Sequence, residues 1–506
     1  IAEGTDFTYA WFVDRDGEPA FRFNTNRRGS LMYIYAREER GNGKVKWRKI
    51  QTIRLNRVQE ELATAQFDPL FPGPTVTTYY VAARPDDADK TGIYLYDFEK
   101  DEILETVYTH PDVDVSNAIY NRETNELQGY YFFDDKLRFE FESDQVQRDW
   151  EQLDAHFGDQ LNVLPLMSNR DGTRWLVETK GATDAGSYHL YELAGAKTRF
   201  LGSRMNSLAN KALGHTQVVR YTARDGLALF GYLTRPAATD DSARPPLIML
   251  PHGGPEARDL ITYNQLVQVL VARGYQVFQP NFRGSSGFGK AFADLGRGQW
   301  GRAMQTDVDD ALAHLIETGL ADEQRACILG ISYGGYVALA AATLTPDLYR
   351  CTIAIAAPSH LVEQLKWDRK EEGRRSEAYK YWVEHIGDPR KDRDRLNAVS
   401  PALLADNITS PVLLIHGQKD RVVPIEQTEL MVAALEAADK PFEHLVLDNS
   451  SHGGRSKEDR RTELERVLAF LEEHLPAKGA VEADQAEGAQ PEALPGRTSH
   501  CLACAK

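Results

Sequence analysis

Three residues in the second half of the chain have the types and the order of a nucleophilic triad: Ser332, Asp420 and His452. A serine hydroxyl is a weak nucleophile at neutral pH, and imidazole is a suitable base because its unperturbed pKa is near ~6.5. A carboxylate beside the imidazole holds it in one tautomer and stabilises its cation. These residues therefore predict acyl transfer, with Ser332 as nucleophile, His452 as general base and Asp420 as the acid that orients the base.

Ser332 is the central residue of a Gly-x-Ser-x-Gly motif at residues 330–334. The motif follows an apolar run at residues 326–329 and precedes a helix-forming run at 336–342. This order predicts a strand, a tight turn and a helix, and glycines are needed because such a turn has no room for side chains. The N–H of Tyr333, at the start of the helix, is predicted to donate to the oxyanion that develops on the substrate.

Asp420 and His452 each follow a short apolar run that predicts a buried strand, at residues 411–416 and 444–447. In an open α/β sheet, loops at the carboxyl ends of the strands carry the functional groups. Taken alone, Asp420 is also explained as a cap of the following helix, and His452 as a surface-loop histidine. Their order after the serine motif favours the triad. The accompanying helices are predicted at residues 425–439 and 458–475.

A second oxyanion donor is predicted in the Pro-His-Gly-Gly-Pro turn at residues 251–255, which follows a predicted strand at 246–250. A position without a side chain lets a backbone N–H approach the scissile carbonyl, and Gly254 is the first choice and Gly253 the second. The alternative is a plain loop whose glycines serve turn geometry only. No cofactor and no metal are predicted, because the histidines of this region lie on separate loops without the spacing of a metal site.

Further motifs accompany these residues, namely Arg224-Asp225-Gly226, Asn281-Phe282-Arg283-Gly284-Ser285, Trp300-Gly301, Ile386-Gly387-Asp388-Pro389 and Ser400-Pro401. With them, residues 222–476 resemble the catalytic domain of the prolyl oligopeptidase family of serine peptidases, an α/β-hydrolase. The resemblance implies the triad roles given above and the oxyanion role of the Tyr333 amide.

The resemblance also names two candidate substrate-binding residues. His252 stands where other branches of the family use a tyrosine, and in this respect the chain is similar to the acylaminoacyl-peptidase branch. Val423, three positions after Asp420, is a pocket residue by the same resemblance.

Residues 1–215 follow a different pattern, in which short alternating apolar and aromatic runs are separated by Asp, Gly and Asn turns. Runs such as 31–35 and 92–96 predict antiparallel strands of an all-β, propeller-like domain. At roughly 40–50 residues per blade, the region would hold about four blades. The resembling family usually has seven or eight, which close a tunnel that admits only short or unfolded peptides. We therefore expect an N-terminally truncated propeller, followed by an α/β-hydrolase domain at 216–476 and a disordered tail at 477–506.

The segment 362–395 is rich in charged residues and also contains Trp367. It follows the predicted strand 351–356 and precedes the strand that leads to Asp420, so we expect it to cross the active-site edge of the sheet. Two interpretations stay open. The segment is either a solvated amphipathic helix pair or a substrate-side wall, in which Trp367 lines the pocket for the residue preceding the scissile bond.

The composition is that of a soluble globular protein, with 42% hydrophobic residues and a net charge of −16. This charge argues against nucleic-acid and anionic-membrane partners, and no run approaches the ~18 apolar residues of a membrane span. Cys327 and Cys351 are predicted to be plain buried thiols, and the Cys501-x-x-Cys504 motif has no strand–helix context for a redox or zinc role. A cytoplasmic location is favoured over a periplasmic or secreted one.

These patterns predict a serine peptidase that acts on short peptides as an exopeptidase of acylaminoacyl- or dipeptidyl-peptidase type. A carboxylesterase is the rival enzyme, because the same triad cleaves esters. A catalytically silent binding module is the alternative from another class, and the complete triad argues against it. The sequence leaves the oligomeric state open, a homo-oligomer included.

Overall fold

The computed structural model describes residues 4–27, 31–39, 45–54, 67–85, 88–121, 124–208, 211–237, 239 and 244–477. The expected tail at 477–506, with its Cys501-x-x-Cys504 motif, lies outside these ranges except for Ala477. Within them, no helix combines the length and the apolar character needed to cross a bilayer.

The N-terminal part of the described chain forms four antiparallel sheets, each a simple meander of strands consecutive in sequence. One helix, α1 (Asp144–Phe157), separates the third sheet from the fourth. The strands are β1 (Thr8–Val13), β2 (Pro19–Thr25), β3 (Leu31–Glu39) and β4 (Val45–Arg54); β5 (Phe67–Pro72), β6 (Thr78–Ala83), β7 (Gly92–Asp97) and β8 (Glu102–Tyr108); β9 (Val115–Asn121), β10 (Glu126–Phe133) and β11 (Leu137–Phe141); and β12 (Leu161–Ser168), β13 (Arg174–Gly181), β14 (Asp184–Glu192) and β15 (Lys197–Ser203).

The sheets form because apolar and aromatic residues alternate along the strands and place one face of each sheet in a shared core. Phe21 and Ile34 of the first sheet, for example, pack in one buried cluster with Tyr79 and Tyr96 of the second. This all-β, propeller-like region is the one that the alternating runs predict.

The C-terminal part contains one eight-stranded sheet with the strand order β16-β17-β19-β18-β20-β21-β22-β23. The pairs β16–β17 and β17–β19 are antiparallel, and every later pair is parallel. The strands are β16 (His215–Thr222), β17 (Ala228–Arg235), β18 (Leu247–Met249), β19 (Gln276–Asn281), β20 (Ala326–Ile331), β21 (Thr352–Ile355), β22 (Val412–Gly417) and β23 (Phe442–Leu447).

Helices cover both faces of this sheet. Because the central parallel strands are buried on both sides, they are continuous apolar runs, and two large buried clusters lie on the opposite faces. The helices are α2 (Gln265–Ala272), α3 (Lys290–Asp294), α4 (Ala303–Glu317), α5 (Tyr333–Leu344), α6 (Leu361–Glu372), α7 (Glu377–His385), α8 (Arg393–Asn397), α9 (Glu426–Ala437) and α10 (Lys457–His474). Helices α9 and α10 lie where the sequence predicts them, within about two residues at each end.

One sequence prediction about the core is wrong. Cys327 and Cys351 form a disulfide, with their Cα atoms 4.8 Å apart, instead of remaining free thiols. The physical reason is the register of the parallel strands β20 and β21. Ile328 lies opposite Thr352, and this brings the two preceding cysteines side by side.

Candidate active site

The structure brings Ser332, His452 and Asp420 into one hydrogen-bonded chain. His452 Nδ1 donates to Asp420 Oδ2 at 2.7 Å, and the Ser332 hydroxyl donates to His452 Nε2 at 3.0 Å. A carboxylate only accepts, so the ring proton belongs on Nδ1, and Nε2 of the neutral imidazole is left to accept the serine proton. The geometry is that of a serine nucleophile with its base and its orienting acid.

Ser332 lies at a sharp turn between β20 and α5, and its backbone is in the left-handed region, with φ +61°. Glycines on either side make the turn sterically feasible. A Cβ added at Gly330 would lie 2.0 Å from the carbonyl oxygen of Gly334, and one at Gly334 would lie 2.1 Å from that of Pro251. The turn therefore presents the Ser332 side chain at the carboxyl edge of the sheet, as the motif predicts.

Asp420 is held by its own loop. The N–H groups of Val422 and Val423 donate to its Oδ1 at 2.9 and 3.0 Å, and the buried His416 lies 3.4 Å from its Oδ2. Burial raises the pKa of Asp420, but hydrogen bonds from His416 and His452 outweigh burial and lower this pKa to about 2. The acid is therefore ionised throughout the neutral range.

The loops that carry the acid and the histidine are joined to each other. Lys419 N–H donates to Ser450 O at 2.9 Å, and Gln418 N–H donates to Leu447 O at 3.0 Å. Gly417 is required at this junction because a Cβ there would come within 2.6 Å of Ser450 O. These contacts fix the distance between Asp420 and His452 before any substrate binds.

The predicted oxyanion donors lie beside Ser332. Tyr333 is the first residue of α5, so its N–H has no acceptor within that helix. Gly254 adopts φ +122° and lines the same cavity as Ser332 and Tyr333. Gly253 also approaches closely, since a Cβ at this position would lie 3.5 Å from Ser332 Cβ.

His252 contacts the turn that carries these glycines. Its Nδ1 lies 2.8 Å from Gly253 O, its Nε2 lies 2.9 Å from Ser285 Oγ, and its ring stacks on Phe282 at 4.3 Å. Burial lowers the pKa of His252 to about 4, so the ring is neutral at neutral pH. His252 is not among the residues that line the cavity beside Ser332, and its contact with substrate stays a prediction.

A cavity of about 710 Å³, including the space at its mouth, opens beside Ser332. The segment 362–395 supplies much of its wall, because α6 and α7 both face it. Trp367 and Val423, the two other predicted substrate-binding residues, line it. The remaining lining residues are Gly254, Trp300, Tyr333, Pro358, Gln364, Asp368, Glu371, Glu372, Ala378, Trp382, Ile386, Arg421 and Val422.

Gln364 and Asp368 are among the lining residues that sequence reasoning missed. Both are on α6, and their spacing of four residues places them on one face of the helix, next to Trp367. The sequence contained one signal, namely an aromatic residue beside two polar residues on one helix face. Without the packing of α6, however, nothing showed whether this face points to the cavity or to solvent.

One group of described residues outside the cavity lining has ligand atoms close enough for a metal ion: Glu443, Glu473 and His474. Glu443 is already paired with Arg466. The group belongs to β23 and the end of α10, and it contributes nothing to the triad.

Residues 261–478 match the sequence profile of the prolyl oligopeptidase family. The chain carries a prolyl oligopeptidase family domain. The resemblance seen in residues 222–476 is thereby confirmed, and the order of this domain after an all-β region agrees with the predicted fold class.

Two curated proteins similar to this chain are peptidases. Dipeptidyl aminopeptidase BIII of Pseudoxanthomonas mexicana is 31% identical over 365 residues, which are 69% of this chain and 51% of that protein. Dipeptidyl peptidase family member 6 of Caenorhabditis elegans is 27% identical over 416 residues, which are 77% of this chain and 55% of that protein. The chain thus spans about half the length of the curated relatives it matches.

Solved structures show the same architecture for the prolyl oligopeptidase family domain and the region before it. A puromycin-hydrolyzing peptidase of Mycobacterium tuberculosis superposes with a TM-score of 0.71, over 94% of this chain and 71% of that chain. The two sequences are 21% identical, so this likeness establishes the fold.

Proposed function

We propose that the chain is a serine peptidase that hydrolyses short peptides through an acyl-enzyme, as an exopeptidase. The observation that carries the proposal is the hydrogen-bonded chain from Ser332 Oγ through His452 to Asp420, at 3.0 and 2.7 Å. The names of the two curated relatives, both dipeptidyl peptidases, support an exopeptidase.

In the first half of the reaction, Ser332 Oγ attacks the scissile carbonyl carbon while its proton moves to His452 Nε2. The resulting imidazolium is stabilised by Asp420, which keeps its negative charge and accepts the Nδ1 proton in a hydrogen bond. The tetrahedral intermediate collapses when His452 gives the proton to the leaving amine and the C–N bond breaks. An ester then links Ser332 to the acyl part of the substrate.

In the second half, water takes the place of the leaving amine. His452 accepts a proton from this water as its oxygen attacks the ester carbonyl, and then returns the proton to Ser332 as the acid product leaves. In both halves, the negative oxygen would be stabilised by the N–H groups of Tyr333 and Gly254. The loss of one such donor typically costs about 10²–10³ in rate.

Labelling with a fluorophosphonate tests the nucleophile. Wild type and the control Ser207→Ala, at an exposed serine in the connection between the two regions, are expected to label equally, and Ser332→Ala is expected not to label. Absence of labelling in wild type would rule out a serine hydrolase.

A panel of peptide amides and matched esters tests the reaction. Turnover of amides supports a peptidase. Turnover of esters without turnover of amides would refute the peptidase and indicate a carboxylesterase. A requirement for a free N-terminal amine indicates the dipeptidyl type, and turnover of acetylated peptides indicates the acylaminoacyl type.

A further inference from the structure

The part of the active-site cavity formed by α6 is acidic. Asp368, Glu371 and Glu372 all line it, and they follow one another along the same helix. Three carboxylates at the wall of a cavity disfavour one another unless a cation compensates them. The cavity wall therefore contains three carboxyl groups in addition to the carboxylate of the triad, Asp420.

Two of the polar side chains in this wall are buried and short of hydrogen-bond donors. Asp368 is 8% exposed and Gln364 is 5% exposed. Gln364 Nε2 donates to Asp368 Oδ1 and to Val422 O, both at 3.0 Å, but Gln364 Oε1 is buried and has no hydrogen-bond partner. A buried acceptor without a donor is costly, and a donor-rich ligand would satisfy it.

The positive side chains near this wall do not neutralise it. Lys366 pairs with Glu363, and Lys370 lies over the Trp367 ring, 5.4 Å from its centroid. Arg421 lines the cavity but is exposed, and no ion pair joins it to the three acids within the described chain. Burial raises the pKa of Asp368 to about 7; the hydrogen bond from Gln364 opposes this rise, and the charge of Glu372 adds to it.

Much of the remaining cavity wall is apolar. Val423, which is 3% exposed, lines it together with Ile386 and Trp382. A cavity lined by both apolar side chains and carboxylates suits a lysine or arginine side chain, which has a hydrophobic stem and a cationic head.

We propose that this cavity binds the side chain of a lysine or arginine immediately before the scissile bond, with Asp368 and Gln364 as its specificity-determining partners. Because Ser332, Tyr333 and Gly254 line the same cavity, the side chain next to the attacked carbonyl is the one that enters it. The proposal rests on the proposed peptidase function. A substrate with a free N-terminal amine offers a second cation, and the experiment separates the two.

The experiment compares fluorogenic amides that have arginine or citrulline before the scissile bond, each as an acetylated and as a free-amine peptide. Citrulline keeps the length and most of the hydrogen-bonding groups of arginine but has no charge. One charge-assisted contact favours arginine by about 10–100-fold in kcat/KM. This preference is expected in wild type with both acetylated and free-amine peptides.

Asp368→Asn is expected to reduce the arginine preference to about threefold or less, because one carboxylate contact of that strength is removed. Glu363→Gln, on the same helix but outside the cavity lining, is the matched control and keeps the preference. Equal turnover of arginine and citrulline by wild type would overturn the proposal without any variant. A preference that follows the free amine instead of arginine would also overturn it.

Binding to Ser332→Ala separates this proposal from the proposed function. Acetyl-arginine amide is expected to bind this variant about 10–100-fold more tightly than acetyl-citrulline amide, with tryptophan fluorescence as the readout. Equal binding overturns the cation subsite even if wild type labels with fluorophosphonate. Tighter binding of acetyl-arginine amide than of acetyl-citrulline amide supports the cation subsite. Absence of fluorophosphonate labelling in wild type, by contrast, refutes only the peptidase function.

Discussion

Replacing Asp420 by asparagine is expected to abolish most of the activity while the fold is kept. In the structure, Oδ1 of Asp420 accepts the N–H groups of Val422 and Val423, and Oδ2 accepts the Nδ1 proton of His452. The two backbone donors hold the amide oxygen of an asparagine at the Oδ1 position. The amide NH₂ then faces His452 Nδ1, at the 2.7 Å distance where the carboxylate now accepts.

Two donors cannot face each other at that distance, so the imidazole is expected to take the other tautomer. Its proton then lies on Nε2, which can no longer accept the proton of Ser332. An Asp-to-Asn exchange with this consequence in a serine-protease triad lowers kcat by about 10⁴. We expect a loss of the same order for Asp420→Asn, with a smaller effect on KM because the acid does not line the cavity.

The same exchange is expected to change how stability depends on pH. The pKa of Asp420 falls from an ordinary 3.8 to about 2 in the folded protein. Its contribution to the free energy of unfolding is therefore complete above pH ~4 and is lost as the pH falls towards ~2. A depression of this size corresponds to about 2 kcal/mol. The difference in unfolding free energy between wild type and Asp420→Asn should shrink by about this amount over the same pH interval.

The assay is kcat/KM with a fluorogenic peptide, together with urea unfolding at several pH values. Asp448→Asn is the matched control, because Asp448 is exposed on the loop that leads to His452 and should change neither quantity. A folded Asp420→Asn protein that keeps more than about a tenth of the wild-type activity would refute the tautomer argument.

Two further predictions concern the core under the site. Gly330→Ala is expected to lower fluorophosphonate labelling by more than about 100-fold or to prevent folding, because the added methyl group would lie 2.0 Å from Gly334 O. Gly202→Ala is the control, because a methyl group at Gly202 would meet open space. Equal labelling of the two variants would contradict the steric argument. A Cys327→Ser, Cys351→Ser double variant is expected to lower the free energy of unfolding in urea by about 3 kcal/mol, because the disulfide closes a loop of 24 residues. Peptide mapping without reductant tests whether the bond is present. Alkylation of both thiols in that experiment would disprove the disulfide.

The juxtaposition of Ser332, Asp420 and His452 could be predicted because its information is local. The glycines around Ser332 report the turn directly, since a Cβ at either flanking position would clash with the backbone. Asp420 and His452 each follow a recognisable buried strand, and the parallel sheet brings the ends of those strands together. The alternation of apolar residues predicted the N-terminal sheets for the same reason, because a period of two is visible in the sequence itself.

The disulfide and the acidic wall could not be predicted because they depend on relations between elements. Cys327 meets Cys351 only through the register of two strands, which neither strand encodes alone. Asp368 appears in the sequence as one charge among many on a helix of ordinary charged character. It becomes a buried group because of the rotation of α6 about its own axis, which tertiary packing decides.

Under the proposed function, the loop from Asp420 to Val423 joins catalysis and substrate recognition physically. Its N–H groups fix the acid of the triad, its side chains line the cavity, and its Val422 carbonyl accepts the hydrogen bond from Gln364. Only one residue therefore separates the proposed cation subsite from the carboxylate that orients His452. A ligand that hydrogen-bonds to Gln364 therefore contacts a residue that is itself bonded to the loop that holds Asp420. Binding of the substrate side chain and alignment of His452 then depend on the same rigid loop.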